Sequence, residues 1–201
     1  MIQRLPCSAC GELIHPDTAS KNAGLCMPCN GGYRERIEEG KRQRVREREI
    51  EKSPGRIYWR GLVGRVHGEP NGFSRLRPEE KTYYAIRCLI GEVYNGGFYQ
   101  YFANSSGNMY AHAIDGLLEL EATQTLQLLT RAKELLLGEQ PVPLDQTERD
   151  RMLPDIELFG SSFRGLAEEL RLVEQRFWSD PESLDDRCTG FAQSHNLYGD
   201  H

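Results

Sequence analysis

The first thirty residues contain two pairs of cysteines with the spacing of a metal site. Cys7 and Cys10 form one CxxC pair, Cys26 and Cys29 form a second, and fifteen residues separate the two pairs. Zn²⁺ prefers four ligands in a tetrahedron, and each CxxC turn places two thiolates on one side of the metal. The four cysteines therefore predict a closed, structural zinc site, because four protein ligands leave no coordination position open for catalysis.

The neighbouring residues support zinc over the alternative uses of paired cysteines. Gly11 and Gly24 flank the pairs, where tight turns favour residues that tolerate positive φ. A thioredoxin-like redox motif requires a βαβ context that this segment lacks, and stable disulfides are rare in a reducing cytosol. His15 is an alternative ligand and otherwise a loop histidine. Since the segment has few large apolar side chains, metal binding would supply most of its folding free energy, of order 10 kcal/mol.

Charge is distributed unevenly along a chain of otherwise ordinary composition. Of its 201 residues, 38% are hydrophobic, which is typical of a globular protein with one sizeable core and a small appendage. Residues 1–69 carry a net charge of +4, whereas residues 70–201 carry −9. No run approaches the roughly 18 apolar residues of a membrane span, and the N-terminus shows no apolar signal region. We therefore expect a cytoplasmic protein.

The patterns predict a mainly α protein with three parts: a zinc-ribbon-like module at 1–32, a charged connecting helix and linker at 33–55, and an all-α domain at 56–201. Ser53-Pro54-Gly55 marks the end of the linker. Apolar residues recur at helical spacing through the third part. The predicted helices lie at 78–94, 107–119, 123–137, 145–152, 161–178 and 181–194.

Local signals predict where several of these helices begin and end. Asn95-Gly96-Gly97 is expected to stop the first helix, because paired glycines suit a C-cap. Asp145 with Glu148 fits a capping box, and Asp180 followed by Pro181 fits an N-cap with proline at the first helical position.

Residues 92–107, with the sequence EVYNGGFYQYFANSSG, form the most unusual stretch of the third part. They combine a helix stop, an aromatic cluster and side-chain amides that can hold a turn. Glu92 can be interpreted as a catalytic carboxylate or as a buried carboxylate that ties down the corner. The chain has no GxSxG, P-loop, HExxH or dinucleotide motif, and a pairing of His112 with Asp115 is a weak signal. We predict a protein that is not an enzyme.

This stretch resembles the E-x-x-NGGF-x-QYF-x-N signature of the DMP-type DNA-mimic protein family, a group of bacterial all-α domains. The resemblance extends from about Tyr58 to the C-terminus, and it departs at Leu120-Glu121-Ala122, where a sequence like Ile-Gly-Ala is expected. The motif residues, whose role is structural or binding, are Glu92, Asn95, Gly96, Gly97, Phe98, Gln100, Tyr101, Phe102 and Asn104.

The resemblance implies a domain that presents carboxylates in a phosphate-like array and occupies the DNA-binding surface of a partner such as a transcription factor. The net charge of −9 in residues 70–201 permits this function, and a solvated acidic surface without a partner is the alternative. The candidate acidic face consists of Glu119, Glu121, Asp145, Glu148, Asp150, Glu168, Glu169, Asp185 and Asp186, with Glu80, Glu174 and Glu182 among further contributors.

Two other hypotheses use different features of the chain. The zinc ribbon and the arginine-rich segment 34–65 together suggest a protein that binds nucleic acid directly or regulates it. An immunity or defence-related module that neutralises a partner toxin is a third hypothesis, which the sequence does not separate from the DNA mimic.

Overall fold

The computed structural model of the protein describes residues 3–154 and 164–199. The chain divides into two compact units, Met1–Ile57 and Tyr58–His201. Helices dominate the described residues, and the only strands among them are two short ones near the N-terminus. The prediction of a mainly α protein with a small four-cysteine element is therefore confirmed. None of the described helices combines the length and the apolar character that a bilayer crossing requires.

The first unit has very little hydrophobic core of its own. Its buried residues are Cys7, Ile14 and Cys26. Three buried side chains remove too little apolar surface from water to offset the conformational entropy of some thirty residues. The elements are β1 (Leu5–Pro6), which pairs antiparallel with β2 (Leu13–Ile14), then α1 (Pro16–Lys21), α2 (Met27–Asn30) and α3 (Arg34–Glu51).

A charged helix follows the cysteines as α3, and none of its residues is buried. All ten residues from 41 to 50 are exposed, including Arg42, Arg44, Arg46 and Arg48. Because α3 has no apolar face, it is stabilised by the intrinsic helix propensity of its residues and by exposed ion pairs such as Lys41–Glu38. Each such pair contributes only about 0.2–0.5 kcal/mol.

The second unit is built around one long helix. In chain order its elements are α4 (Pro54–Gly68, whose first turn belongs to the first unit), a 3₁₀ turn (Phe73–Arg75), α5 (Pro78–Ala103), a second 3₁₀ turn (Ser105–Met109), α6 (Tyr110–Glu119), α7 (Thr123–Leu137), α8 (Gln146–Met152), α9 (Arg164–Trp178) and α10 (Leu184–Ser194).

Helix α5 supplies the centre of the core. Ile86, Leu89 and Val93 in its first half and Phe98 and Phe102 in its second half are completely buried. Helices α6, α8, α9 and α10 all pack against it. Because α5 is surrounded in this way, its apolar residues are not confined to one stripe, as is typical of a central helix.

Most predicted boundaries in the second unit agree with the structure, and the start of the last helix is wrong. The N-cap at Asp145 is confirmed, since its Oδ1 accepts the Glu148 N–H at 2.9 Å. Asn95-Gly96-Gly97 interrupts α5 as predicted, because Gly96 and Gly97 are non-helical, and a second helical half that the sequence analysis does not predict runs on to Ala103. Helix α10 begins at Leu184 and not at 181, because the Asp180 carboxylate accepts the N–H of Leu184 at 2.8 Å. The predicted start of α9 at residue 161 lies outside the described residues.

Candidate metal centre and the motif corner

The four cysteines of the CxxC pairs are held by two different local structures. Cys7 follows β1, and its N–H donates to the Glu12 carbonyl at 2.8 Å, while the Gly11 N–H returns to the Cys7 carbonyl at 2.8 Å. Cys26 is the N-cap of the single-turn helix α2, which also contains Cys29. A strand turn therefore presents one pair, and a helix start presents the other.

The geometry of the four sulfur atoms fits one metal ion. All four Sγ atoms lie within 4.8 Å of one another, and the Sγ atoms of Cys10 and Cys26 are 3.8 Å apart. A tetrahedral site with Zn–S bonds of about 2.3 Å has sulfur–sulfur edges of about 3.8 Å. The N–H of Cys26 also points at the Cys7 Sγ at 3.2 Å, as donors to metal-bound thiolates do. These four residues are able to hold a metal ion.

The pKa values of these thiols show why a cation suits the site. The Cys26 N–H donates to the Cys7 sulfur and lowers the pKa of that thiol to about 6. The pKa of Cys29 is instead raised to about 12, chiefly by its contact with the Cys26 sulfur and then by burial. Four thiolates this close repel one another, and a divalent cation removes the repulsion.

Neither His15 nor the two remaining cysteines belong to this centre. The His15 Nδ1 accepts the Asp17 N–H at 3.2 Å and so caps α1. Cys88 and Cys188 lie in the second unit, where burial raises the pKa of each thiol to about 12. All six cysteines are free thiols in the structure.

A second site, the motif corner, lies at the kink of α5. It consists of Glu92, Gln100 and Asn104 of the family motif together with Ser106. The carboxylate of Glu92 accepts the side-chain N–H of Gln100 at 2.6 Å and of Asn104 at 2.9 Å, and its other oxygen accepts the Ser106 hydroxyl at 2.9 Å. Glu92 therefore binds both sides of the kink together, which agrees with the interpretation of a carboxylate that ties down the corner.

The kink itself depends on Gly97 and on a carboxylate from a distant helix. Gly97 has φ +77° and ψ −176°, a conformation that is essentially restricted to glycine. The Phe98 N–H, which the kink frees from helical bonding, donates to the Glu174 carboxylate at 3.0 Å. Burial raises the pKa of Glu174, and this N–H opposes the rise. Glu174 thus caps the second half of α5 from α9.

We expect Gly97→Ala to lower the free energy of unfolding by about 2–4 kcal/mol, because it combines a strained φ with overlap between the new Cβ and the Glu174 carboxylate. Gly91→Ala on the same helix is the control, because the new Cβ meets nothing within 4 Å. This change should raise the free energy of unfolding by about 0.5–1 kcal/mol. Urea denaturation measures both values. Equal stabilities for the two variants would contradict the assigned role of the kink.

The aromatic residues of the motif lie in the hydrophobic core. Beside them lies a buried cation, Arg149, which the sequence analysis does not single out. Phe98, Tyr101 and Phe102 are completely buried. Arg149 on α8 is also 0% exposed, and its guanidinium donates at 2.7–3.2 Å to four carbonyl oxygens. The acceptors are Phe102 and Asn104 at the end of α5, and Pro143 and Leu144 in the α7–α8 loop. Position 149 gives no sequence signal that separates it from the exposed Arg151.

All nine candidate residues of the acidic face are exposed. Three of them form ion pairs: Glu168 with Arg171, Glu169 with Arg131, and Asp185 with Arg87. Glu119 lies 3.3 Å from the Thr82 hydroxyl, and Asp145 caps α8. Glu121, Glu148, Asp150 and Asp186 form no ion pair among the described residues.

Three further acidic candidates accept hydrogen bonds within the second unit; Glu80 is buried, and Glu174 and Glu182 are partly buried. Glu80 is 4% exposed and accepts from Tyr58 and Arg65. Glu174 caps the kink, and Glu182 accepts the N–H of Thr125 at 2.8 Å at the start of α7. Their charges serve the fold, because each one satisfies donors that would otherwise lack a partner.

These features define an all-α domain preceded by a four-cysteine element able to hold a metal ion. Over residues 74–195 the sequence matches the family described as DMP19-like protein. The match spans more than half of the chain, and the protein therefore belongs to this DNA-mimic family. A search of curated proteins and a search of solved structures each found no match. The whole motif corner lies within the matched residues, whereas the cysteine centre precedes them.

Proposed function

We propose that this protein is a non-enzymatic DNA mimic of the cytoplasm, which binds a DNA-binding protein such as a transcription factor through an acidic surface of the second unit. Membership of the DMP19-like family is the observation that carries the proposal. The net charge of −9 in residues 70–201 and the exposure of all nine candidate carboxylates support it. Such a surface would engage the Lys and Arg side chains that otherwise contact phosphates.

The strongest candidate contact is an acidic corner, defined here as Glu119, Glu121, Asp185 and Asp186. Its two halves are joined because Arg187, which directly follows Asp186, donates to the Leu120 carbonyl at 2.8 Å. Glu121 and Asp186 form no ion pair among the described residues, so their charges are available to a partner. Asp185 and Asp186 also lie in the first turn of α10, where negative charge stabilises the helix dipole.

The cysteine centre has a separate role in this proposal. We propose that Zn²⁺ is the ion held by Cys7, Cys10, Cys26 and Cys29, and that it folds the first unit without taking part in any reaction. Cysteine-rich zinc sites need reduced thiols, which agrees with a cytoplasmic location. Helix α3 then extends from this module with its charged side chains in solvent.

Capture of a partner from an extract of the source cells tests the DNA-mimic function. The full-length protein should retain a DNA-binding protein at low salt and release it at high salt, because exposed charge pairs are screened. A variant with Glu121→Gln and Asp186→Asn should retain about tenfold less partner. The matched control carries Glu39→Gln and Glu139→Gln, which remove equal charge from exposed positions elsewhere.

Two results would count against the proposal. If the captured proteins include no DNA-binding protein, or if the complex resists high salt, the acidic surface does not act as a mimic. Retention of a toxin in place of a DNA-binding protein would favour the immunity or defence module. Equal losses in both double variants would show that total charge matters and that the acidic corner does not.

Direct nucleic-acid binding through residues 34–65 is the second candidate, and the complete exposure of residues 41–50 on α3 favours it. The segment from Lys41 to Arg48, with both ends included, contains five Lys or Arg residues. A gel shift with the full chain should then show retardation of DNA or RNA that weakens with salt, and Arg44→Ala with Arg48→Ala should reduce it. Absence of any retardation at micromolar protein would remove this candidate.

A further inference from the structure

A cleft of about 650 Å³ lies beside the motif corner, and the proposed acidic surface does not use it. One wall comes from α4 and is apolar, with Trp59, Val63 and Val66 on one helical face. The other wall comes from α5 and the second 3₁₀ turn, and it includes Glu92 and Asn95. The volume falls in the range of about 300–1,000 Å³ that is typical of ligand sites.

The polar wall of the cleft carries a negative charge that forms no ion pair within the part of the chain that the structure describes. All three donors to the Glu92 carboxylate are neutral groups, and among the described residues it forms no ion pair. Arg87 also lines the cleft, but its guanidinium is committed to Asp185, to the Tyr83 hydroxyl at 3.2 Å and to the Thr189 hydroxyl at 3.1 Å. A cation that enters the cleft therefore meets an available carboxylate.

An aromatic surface that is fixed in place joins the two walls, because Trp59 lies on α4 and Tyr84 on α5 and both line the cleft. The rings of Trp59 and Tyr84 stack with centroids 5.4 Å apart and an angle of 29°. The Tyr84 hydroxyl lies 3.0 Å from the His67 Nε2, which holds the pair in position. Aromatic faces attract cations within about 6 Å, and a guanidinium is planar and weakly hydrated, so it stacks on such faces better than an ammonium does.

We propose that this cleft binds a guanidinium group carried on an alkyl chain. The plane of the group packs against Trp59, and its N–H groups donate to the free lone pair of the Glu92 carboxylate and to the side-chain oxygen of Asn95, which has no hydrogen bond among the described residues. A free guanidino compound and an arginine side chain of a polypeptide share this chemistry. The proposal stands on the cleft alone and is independent of the DNA-mimic function.

Fluorescence of Trp59 reports on binding directly. The chain has two tryptophans, and Trp178→Phe leaves Trp59 as the single tryptophan, whose emission is selected by excitation above the absorption of tyrosine. The full chain with this change is titrated with N-acetyl-arginine amide, with agmatine and with N-acetyl-citrulline amide, whose ureido group matches the guanidinium in size but is uncharged. We expect a saturable change with a guanidinium probe and at least tenfold weaker binding of the citrulline probe. Tighter binding of agmatine indicates a free small molecule, and tighter binding of the arginine amide indicates a polypeptide side chain.

Two variants separate the role of charge from the role of space. Glu92→Gln removes the negative charge, and Gly91→Leu fills the cleft from a position where a Cβ meets nothing within 4 Å. Each should weaken binding of the guanidinium probe at least tenfold, whereas Glu139→Gln should leave it unchanged. Gly91 is not a partner in the hydrogen bonds of Glu92, so a folded Gly91→Leu variant tests the cleft even if Glu92→Gln loosens the corner. Equal binding of the citrulline probe, or unchanged binding by a folded Gly91→Leu variant, would overturn the proposal.

Discussion

Removal of the metal is expected to unfold the first unit and to leave the second unit folded. Among its described residues the first unit buries only Cys7, Ile14 and Cys26, so a metal contribution of order 10 kcal/mol exceeds anything this core can supply. The second unit has its own core around α5 and no metal-binding cysteine. Amide hydrogen exchange on the full chain, with and without a strong chelator, should show protection lost across residues 3–33 and retained in the core positions of α5.

Cysteine variants supply the matched control for this experiment. Cys7→Ser should abolish the stoichiometric zinc that elemental analysis is expected to find, whereas Cys88→Ser, outside the cluster, should retain one zinc per chain. Re-addition of Zn²⁺ to the chelated protein should restore protection in the first unit. Loss of protection throughout the chain, or no loss anywhere, would contradict the division into a metal-dependent and a metal-independent unit.

The second large effect is expected for Arg149→Met, which should lower the free energy of unfolding by about 3–5 kcal/mol. Methionine retains the apolar part of the side chain but removes the guanidinium that donates to the carbonyl groups of Phe102, Asn104, Pro143 and Leu144. A loss of this size is a large fraction of the roughly 5–15 kcal/mol that stabilises a typical domain. Chemical denaturation of the full chain, monitored by helical circular dichroism, measures it.

Arg151→Met is the matched control, because Arg151 lies on the same helix and is exposed. The same change in charge and shape should alter stability there by less than about 0.5 kcal/mol. If the two variants unfold at the same denaturant concentration, the buried guanidinium does not hold the end of α5 to the α7–α8 loop.

The features that sequence reasoning could predict are those whose causes lie close together in the chain. Each CxxC pair is a single turn, so its spacing alone implies that its two sulfur atoms lie on one side of a metal ion. The cap at Asp145 depends on an N–H three residues away. The motif from Glu92 to Asn104 likewise brings its amides to one corner within little more than one dozen residues.

The errors share a different cause, which is a partner far away in the sequence. The paired glycines end the first half of α5 as predicted, but the second half was not predicted, because Glu174, 76 residues after Phe98, caps it. Glu80 looks like any charged residue near a helix start, and its burial depends on Arg65 and Tyr58 from α4. Arg149 and Arg151 are indistinguishable by local pattern, since only the carbonyls from α5 and the loop decide which one is buried.

The contact between Glu174 and the kink also constrains the order in which the chain can fold. The Trp178 indole donates to the Val93 carbonyl across 85 residues, at 3.0 Å, and so repeats this long-range connection beside the same kink. Contacts of such sequence separation must overcome loop-closure entropy before they contribute stability. During synthesis on the ribosome, the first half of α5 can become helical early, but its second half has no cap until α9 has emerged. The middle of the second unit therefore completes its folding only after α9 has been made.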